Sequence, residues 1–466
     1  MAGLEERYRR LVGSRPGVAS APVAVGSRPG AASAPVAVAD IAPGPSVRRV
    51  LFLSGIDGAP VRYRAHLPAE ALELLGVDCE VCHYRDQRVP ELAERADVVV
   101  VYRVPATVQV LELIERTRRR GTPVLFDVDD LIVDPGIAAE IPALQILAPD
   151  EAALWLEGVR RYRTTLEHCD GYIGSTPLLV DHIAALTGLP AARFDNGVGL
   201  HLARRSDNAA ARSRRRGPLR VGYSSGTTTH DHDWAFVLPA LQEVLERRPD
   251  VELWAGGFLP DTPELARFGR RVRRLPFVPW LELPQVQRDL DVNLAPLAPG
   301  SRFNEAKSAI KWLEAALVAT PTVATPTTPF REAIDDGRTG MLASTPEEWV
   351  AAIRVLLEDP LLRADLGSKA RRAALLGWSP WLQGRRYLSI LHDSFEWRAS
   401  SRPPSSWEPV AHDEPWMDVS LAPYTDAVPT NPWAARLEAL GGSGQLPLRV
   451  ARRVRSGVRS LAARRT

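Results

Sequence analysis

The 466-residue chain is too long for one small module and, at roughly 100 to 200 residues per domain, allows two or three. Its 45% hydrophobic and 24% charged residues are those of an ordinary globular chain, which excludes wholesale disorder. The net charge of +2 joins unlike parts: from Arg449 to the end there are seven arginines and no acid, so the remainder has a net charge of about −5 and suits nucleic acid poorly.

No apolar run reaches the roughly 18 residues of a membrane span, and Met1 to Gly13 lacks the apolar core of a signal peptide, so a cytoplasmic chain is expected. The three cysteines build no disulfide framework. Cys79 and Cys82 have zinc-knuckle spacing, but on a strand an odd offset puts them on opposite faces, and no metal site is assigned.

In chain order, Gly13 to Val25 (GSRPGVASAPVAV) recurs at Gly26 to Val38 (GSRPGAASAPVAV), and 1–46 is read as a disordered linker. Folding begins at Val47 with the run Val-Arg-Arg-Val-Leu-Phe-Leu-Ser54. A helical stretch from Arg62 to Leu75 follows, then a strand around Val81, the strand Asp97 to Tyr102, a helix from Val108 to Arg119 and the strand Pro123 to Phe126. A helix from Ala152 to His168, the strand Gly171 to Ser175 and a helix from Pro177 complete a first unit, 47–200. Residues 201–217 are aperiodic and arginine-rich, and are read as the interdomain linker.

A second βα series occupies 218–380. It holds strands at Leu219 to Tyr223, Val251 to Trp254, Val292 to Leu294 and Thr322 to Ala324, with helices at Trp234 to Arg247, around Lys307 to Val318, and from Glu347 and Leu361. A crossover helix is expected at 381–400. Residues 401–445 are read as an extended strap, because seven prolines between Ser401 and Trp433 block helix while Trp407, Trp416 and Trp433 call for packing. In 446–466, apolar residues at helical spacing oppose arginines, a pattern able to lie on anionic lipid, with Gly457 weakening the helix. Strands alternating with amphipathic helices predict an α/β fold of two tandem Rossmann-like, doubly wound parallel-sheet domains.

The most informative segment is Asn304-Glu-Ala-Lys-Ser-Ala-Ile-Lys-Trp-Leu-Glu-Ala315. On one continuous helix Lys307, Lys311 and Glu314 fall within about 60° of each other, so two cations and a carboxylate share a face near a helix start. Such a start favours a diphosphate, and a glutamate one turn on can accept both hydroxyls of a ribose. The same spacing also fits a solvent face with Lys–Glu pairs.

Phe303 to Arg372, with KSAIKWLEAALVATPTVAT and the turn Asp-Gly-x-x-Gly, resembles the C-terminal half of glycosyltransferase family 4 enzymes with the GT-B fold. Val221 to Asp233 resembles that family's first donor-domain strand and glycine loop, in the subgroup with a Thr-His-x-x-Asp signature. Phe126 to Ile132 and Cys169 to Thr176 resemble its interdomain segments. The resemblance implies GT-B architecture with an interdomain cleft, and transfer of a sugar from a nucleotide-diphosphate donor to a glycan, lipid-linked or small-molecule acceptor. It implies retention of configuration, no metal and no cofactor. By position, Glu314 matches the ribose glutamate, Lys307 and Lys311 the diphosphate lysines with Ser308 between them, and Gly226 and Thr227 the phosphate loop.

At the family's upstream glutamate this chain has Ala306, with Glu305 beside it as the candidate for donor-sugar contact. His230, in the loop of the proposed donor site, is the candidate to polarise the donor. Gly58, Arg62 and Arg64 follow the first strand, where open α/β sheets place ligands, and are candidates for the acceptor side of the cleft together with Asp129 and Asp130. Asp127-Val-Asp-Asp130 contains the metal signature of another glycosyltransferase fold, but at a strand end of the first domain it is read as capping a helix or shaping the cleft. Two alternatives stay open: a GT-B-like subunit that binds nucleotide or glycan without turnover, and another GT-B enzyme such as a nucleotide-sugar epimerase.

Overall fold

The computed structural model describes residues 46–145, 147–214, 217–226, 231–260, 262–400, 412–419 and 421. The repeat-bearing linker to residue 45, Thr227, His230, Trp407, Trp433 and the basic tail 446–466 lie outside the described residues.

Two parallel six-stranded sheets form the frame. The first contains β1 (Arg49–Ser54), β2 (Asp78–His83), β3 (Val98–Tyr102), β4 (Val124–Val128), β5 (Gly171–Gly174) and β6 (Ala191–Arg193), in the order β2-β1-β3-β4-β5-β6. The second contains β7 (Leu219–Ser225), β8 (Val251–Gly257), β9 (Val272–Leu275), β10 (Val292–Ala295), β11 (Thr322–Ala324) and β12 (Met341–Leu342), in the order β12-β11-β10-β7-β8-β9. In β3, β4, β10 and β11 every residue is buried, as expected of strands with helices on both faces. Edge strand β2 is largely half-exposed; Cys82 packs with Leu51 and Leu53, Cys79 with the cluster around Val50 and Phe52 on the opposite face. Burial pushes both thiols above their usual range.

Three expectations change. The linker 201–217 is helical over Leu200–Ala210; its buried residues are Leu202, Ser206 and Ala209, and a stripe carried by serine and alanine gives little hydrophobic signal. The short strands β6, β9 and β12 lacked a β-branched run to mark them. The helix expected around Lys307 to Val318 is broken: a four-residue turn of helix, Arg302–Glu305, is followed by Ile310–Leu317. The break has a packing cause, because Phe303 and Ala306 enter the first domain's core while Trp312, Leu313 and Leu317 enter the second's.

The helix Pro380–Ser400 leaves the second domain and packs on the first, against Leu67–Glu73. A Cβ on Gly384 would lie 2.2 Å from the carbonyl oxygen of Ala71, so only glycine lets the two helices approach this closely. Tyr387, one turn on, stands edge-on to Phe194 at 4.6 Å. Beyond it, 412–419 lie across the first domain: Met417 bridges to Asp86, Trp416 packs on the core, and Glu414 accepts from Arg161 at 2.8 Å and from Tyr84. Among the described residues no helix is long and apolar enough to cross a membrane.

Candidate functional site

Both sheets reverse winding beside their first strand, at β1/β3 and at β7/β10, and open α/β sheets bind ligands outside the carboxyl ends at such points. In each domain the loop following that first strand therefore belongs to the site. The first begins at Gly55, where a Cβ would fall 1.9 Å from the carbonyl oxygen of Arg103, so glycine is required for the chain to leave β1 past β3.

The following helix opens as Ala59–Val61, passes through a π-helical turn at Arg62–His66, and continues as Leu67–Glu73. π-helical turns occur mostly as single inserts, frequently at functional sites. Here the turn buries Arg62, Tyr63, Arg64 and Ala65 in succession and sends three polar side chains to three targets. The Arg62 guanidinium lies 4.7 Å from the ring centroids of both Tyr63 and Trp280, the latter from the second domain. Arg62 Nη2 donates to Tyr63 Oη at 3.1 Å, and Tyr63 Oη donates to Glu314 Oε1. Burial and the nearby Glu314 raise the Tyr63 phenol above its usual range, so it stays a donor.

Arg64 points inward. It is 0% exposed, holds Asp127 through two hydrogen bonds of 2.7 and 2.8 Å, and donates to the Phe194 carbonyl at 2.7 Å and to Asn196 Oδ1 at 3.0 Å. The acceptor contact expected of it is therefore corrected: no surface of Arg64 faces the cleft, and its role is to brace the domain. Asn196 passes the connection on, donating to Ser308 Oγ of the second domain at 3.0 Å.

Asp129 and Asp130 meet Arg103, which leaves β3 with φ 47°, an uncommon conformation for a side chain of this size. Its Nη2 lies 2.5 Å from Asp129 Oδ1 and 2.6 Å from Asp130 Oδ2, and Tyr102 donates to Asp129 at 2.8 Å. Asp130 also reaches across the cleft, 3.5 Å from Lys307 Nζ. The aspartates after β4 thus balance guanidinium and ammonium groups. Among the described residues no group of three or more His, Cys, Asp or Glu gathers as a metal site.

On the second-domain wall, the broken helix separates the two lysines. Lys307 sits in the turn against the Phe303 ring at 4.5 Å, while Lys311, on the helix proper, donates to the Ser224 carbonyl near the end of β7 at 2.7 Å. Burial lowers the Lys311 ammonium below its usual range, with Glu314 and Asp233 opposing that shift. Asp233 accepts from Ala298 N at 2.7 Å and Asn304 Nδ2 at 2.9 Å, tying the loop after β10 to the broken helix.

Glu305 turns toward the loop after β11, where Thr328 N donates to it at 3.4 Å. Ala306 is 1% exposed, and its carbonyl accepts from Thr176 of the first domain at 3.0 Å, so a longer side chain there would enter the first domain's core. Gly58 lies in the loop after β1 with φ 99°, and Gly226 directly after β7.

Of the residues expected at the site, Arg62, Asp130, Lys307 and Glu314 lie at the contacts between the two domains, and Lys311 lies one turn from Glu314. Sequence reasoning missed Tyr63, Arg103, Asn196 and Trp280. Tyr63 was legible only as the residue between two candidate arginines, since helical spacing does not show the π-helical turn that carries it.

A pH response follows from two half-buried histidines. Burial and Arg62 hold His66 at about 4, and burial and Arg85 hold His83 at about 4. Unfolded histidine titrates near 6.5, so between roughly pH 6.5 and 4 the unfolded chain binds more protons than the folded one. Their contribution is complete above pH 6.5, declines as pH falls, and levels off below about 4, at roughly 1 to 2 kcal/mol per histidine after solvent screening. Thermal midpoints at pH 7.5, 5.5 and 4.5 should fall, and fall less in the His66→Gln, His83→Gln double variant. Equal slopes in the two proteins would contradict this assignment.

Residues 219–359 match the family model described as glycosyl transferases group 1. The D-inositol 3-phosphate glycosyltransferase of Kineococcus radiotolerans is 35% identical over 142 residues, which are 28% of this chain and 31% of that protein. The matched part thus spans about a third of the curated relative. Among solved structures, a glycosyltransferase from Rickettsia africae aligns with TM-score 0.55 at 12% identity, covering 75% of this chain and 99% of that one. Anabaena HepE in complex with UDP aligns with TM-score 0.51 at 15% identity, covering 74% and 100%. The sucrose-phosphate synthase of Thermosynechococcus elongatus aligns with TM-score 0.50 at 14% identity, covering 75% and 100%.

The fold is GT-B. In GT-B terms the seam that joins Tyr63 to Glu314 and Asp130 to Lys307 is the interdomain cleft, with the group 1 match confined to its second wall.

Proposed function

We propose that this chain is a GT-B glycosyltransferase that moves a sugar from a nucleotide diphosphate, held by the second domain, to an acceptor facing the first. The supporting observation is the pair Lys311 and Glu314, one helical turn apart beside the carboxyl end of β7, within the segment that matches the group 1 family. The Lys311 ammonium is half-buried, against the Ser224 carbonyl and the Tyr223 ring, and among the described residues no carboxylate forms an ion pair with it, so a diphosphate can take it over without breaking one there. In this reading Glu314 accepts the ribose hydroxyls. Lys307 exchanges Asp130 for the diphosphate as the donor arrives, and the charge developing on the leaving group falls between the two lysines.

In this proposal Gly226, Thr227 and His230 form the phosphate loop, Ser308 flanks the diphosphate, and Glu305 approaches the donor sugar. Arg62, Gly58, Asp129 and Asp130 face the acceptor. Retention of configuration, chemistry without metal or cofactor, a glycan or lipid-linked acceptor, and contact of the basic tail with anionic lipid are carried as parts of the same proposal. UDP and UDP-glucose are the first ligands to try, because the HepE structures hold UDP, alone or with glucose.

Titration calorimetry with UDP, GDP and TDP tests the donor site. One of them is expected to bind the unaltered chain, and Glu314→Ala to bind it at least tenfold more weakly, the cost of losing hydrogen bonds to a charged group. Absence of binding by all three would overturn the proposal. Binding without turnover of any sugar nucleotide would instead make the chain a nucleotide-binding subunit, a reading that the buried Ala306 favours.

A further inference from the structure

The carboxylate proposed to read the ribose is held from the opposite domain. Glu314 lies on the second-domain helix Ile310–Leu317, and the group that donates to its Oε1 is the phenol of Tyr63, on the π-helical turn of the first domain. The phenol is itself oriented: Arg62 Nη2 donates to it at 3.1 Å, and that guanidinium is flanked by the Tyr63 ring and the Trp280 ring, each at 4.7 Å. Arg62, Tyr63 and Glu314 form a directed chain of donors and acceptors across the seam, anchored at one end by a tryptophan of the second domain.

Without such a partner, a glutamate on a helix rotates about three side-chain torsions, and fixing them is part of the cost of binding. A carboxylate offers about four lone-pair sites on its two oxygens. With Tyr63 occupying one site on Oε1, the other oxygen and the remaining lone pair of Oε1 stay available in a fixed plane, the arrangement two adjacent hydroxyls need. The π-helical turn carries the phenol there together with Arg62, while Arg64 turns inward to Asp127.

We infer that Tyr63 is a positioning residue for ribose recognition: it holds the Glu314 carboxylate from the acceptor domain, so that the nucleoside subsite is complete only when the two walls of the cleft meet. This rests on the proposed nucleotide-diphosphate site and adds the first domain to it. Donor recognition and cleft closure are then one event, and an open cleft still binds the diphosphate through lysine while losing its preference for ribose.

The experiment compares UDP with 2′,3′-dideoxy-UDP, which keeps the diphosphate and base and lacks both hydroxyls. Calorimetry on the unaltered chain should show a preference for UDP, and Glu314→Ala should abolish it. Tyr63→Phe, which removes one oxygen atom, should weaken UDP binding by about tenfold, as expected for a hydrogen bond to a charged group, and leave the affinity for the dideoxy compound unchanged. Tyr63→Met, which also lacks the donor but does not require the ring's packing, should do the same and covers the case in which Tyr63→Phe fails to fold. Added to Glu314→Ala, Tyr63→Phe should have no further effect.

Equal weakening toward both nucleotides would mean that Tyr63 only holds the domains together, and would overturn the inference. A full ribose preference in both Tyr63 variants would overturn it as well, while leaving the proposed donor site standing. If the unaltered chain binds neither nucleotide, the donor-site proposal fails and this inference with it.

Discussion

Lys311→Met is expected to slow hydrolysis or transfer from the cognate sugar nucleotide by about 10² to 10³, the loss typical of removing one donor to a developing anion. Its thermal stability should be unchanged or slightly raised. The two directions have one cause. The ammonium is partly withdrawn from water, and burial has already lowered its affinity for a proton, so the folded protein bears a desolvation cost at this position. Methionine keeps the length of the side chain and removes the charge. The Ser224 carbonyl then loses its partner, which offsets part of the gain.

A catalytic or binding cation differs from a structural one in this combination of lost activity with retained stability. Lys311→Arg is not a conservative control, because a planar guanidinium needs more room beside the Tyr223 ring, 5.2 Å from the ammonium. The measurement is an initial rate of nucleotide release alongside a thermal midpoint. A variant that loses several degrees of stability together with its activity would assign Lys311 to the scaffold and remove the central cation from the proposed site.

How much of this was readable in advance depends on what each residue had to do. Strands buried on both faces, such as Val98–Tyr102, announce themselves because both faces demand apolar side chains. Glu314 and Lys311 could be found because an eight-residue helix fixes their separation at one turn. Lys307 was expected on one continuous helix with Lys311 and lies instead in the turn before it. Helical periodicity has no term for Phe303 and Ala306 being claimed by the other domain's core, and that competition breaks the helix between the lysines. Tyr63 was missed for a related reason: a π-helical turn is stabilised by tertiary contacts, so its changed facing does not appear in a 3.6-residue pattern. Arg103 was hidden by its backbone, since φ 47° at a strand end is imposed by surrounding structure rather than by arginine.

The largest expected loss of stability is at Arg64. Arg64→Met leaves Asp127 fully buried without its hydrogen-bonded countercharge and takes the donor from the Phe194 carbonyl and from Asn196. At Arg64 burial is outweighed by the charge of Asp127, which holds the guanidinium above its usual range, whereas at Asp127 burial outweighs the pair and raises the carboxyl to about 6. Breaking one side of such a pair typically costs about 3 to 5 kcal/mol, or roughly 10 °C in midpoint for a domain of this size. Replacing both partners by apolar residues of similar volume, as in Arg64→Met with Asp127→Leu, should recover a large part of that loss, because an apolar pair leaves no uncompensated charge. The Asn196 amide would still lack a donor to its oxygen, so recovery should be incomplete. The transition of the first domain, followed by near-ultraviolet circular dichroism in guanidinium, is the appropriate readout, since two domains need not unfold together. If the double variant is as unstable as the worse single one, Arg64 serves the fold through its bonds to Phe194 and Asn196. If Arg64→Met is nearly neutral, the ion pair is dispensable, and the inward direction of Arg64 would then have no stabilising role to account for it.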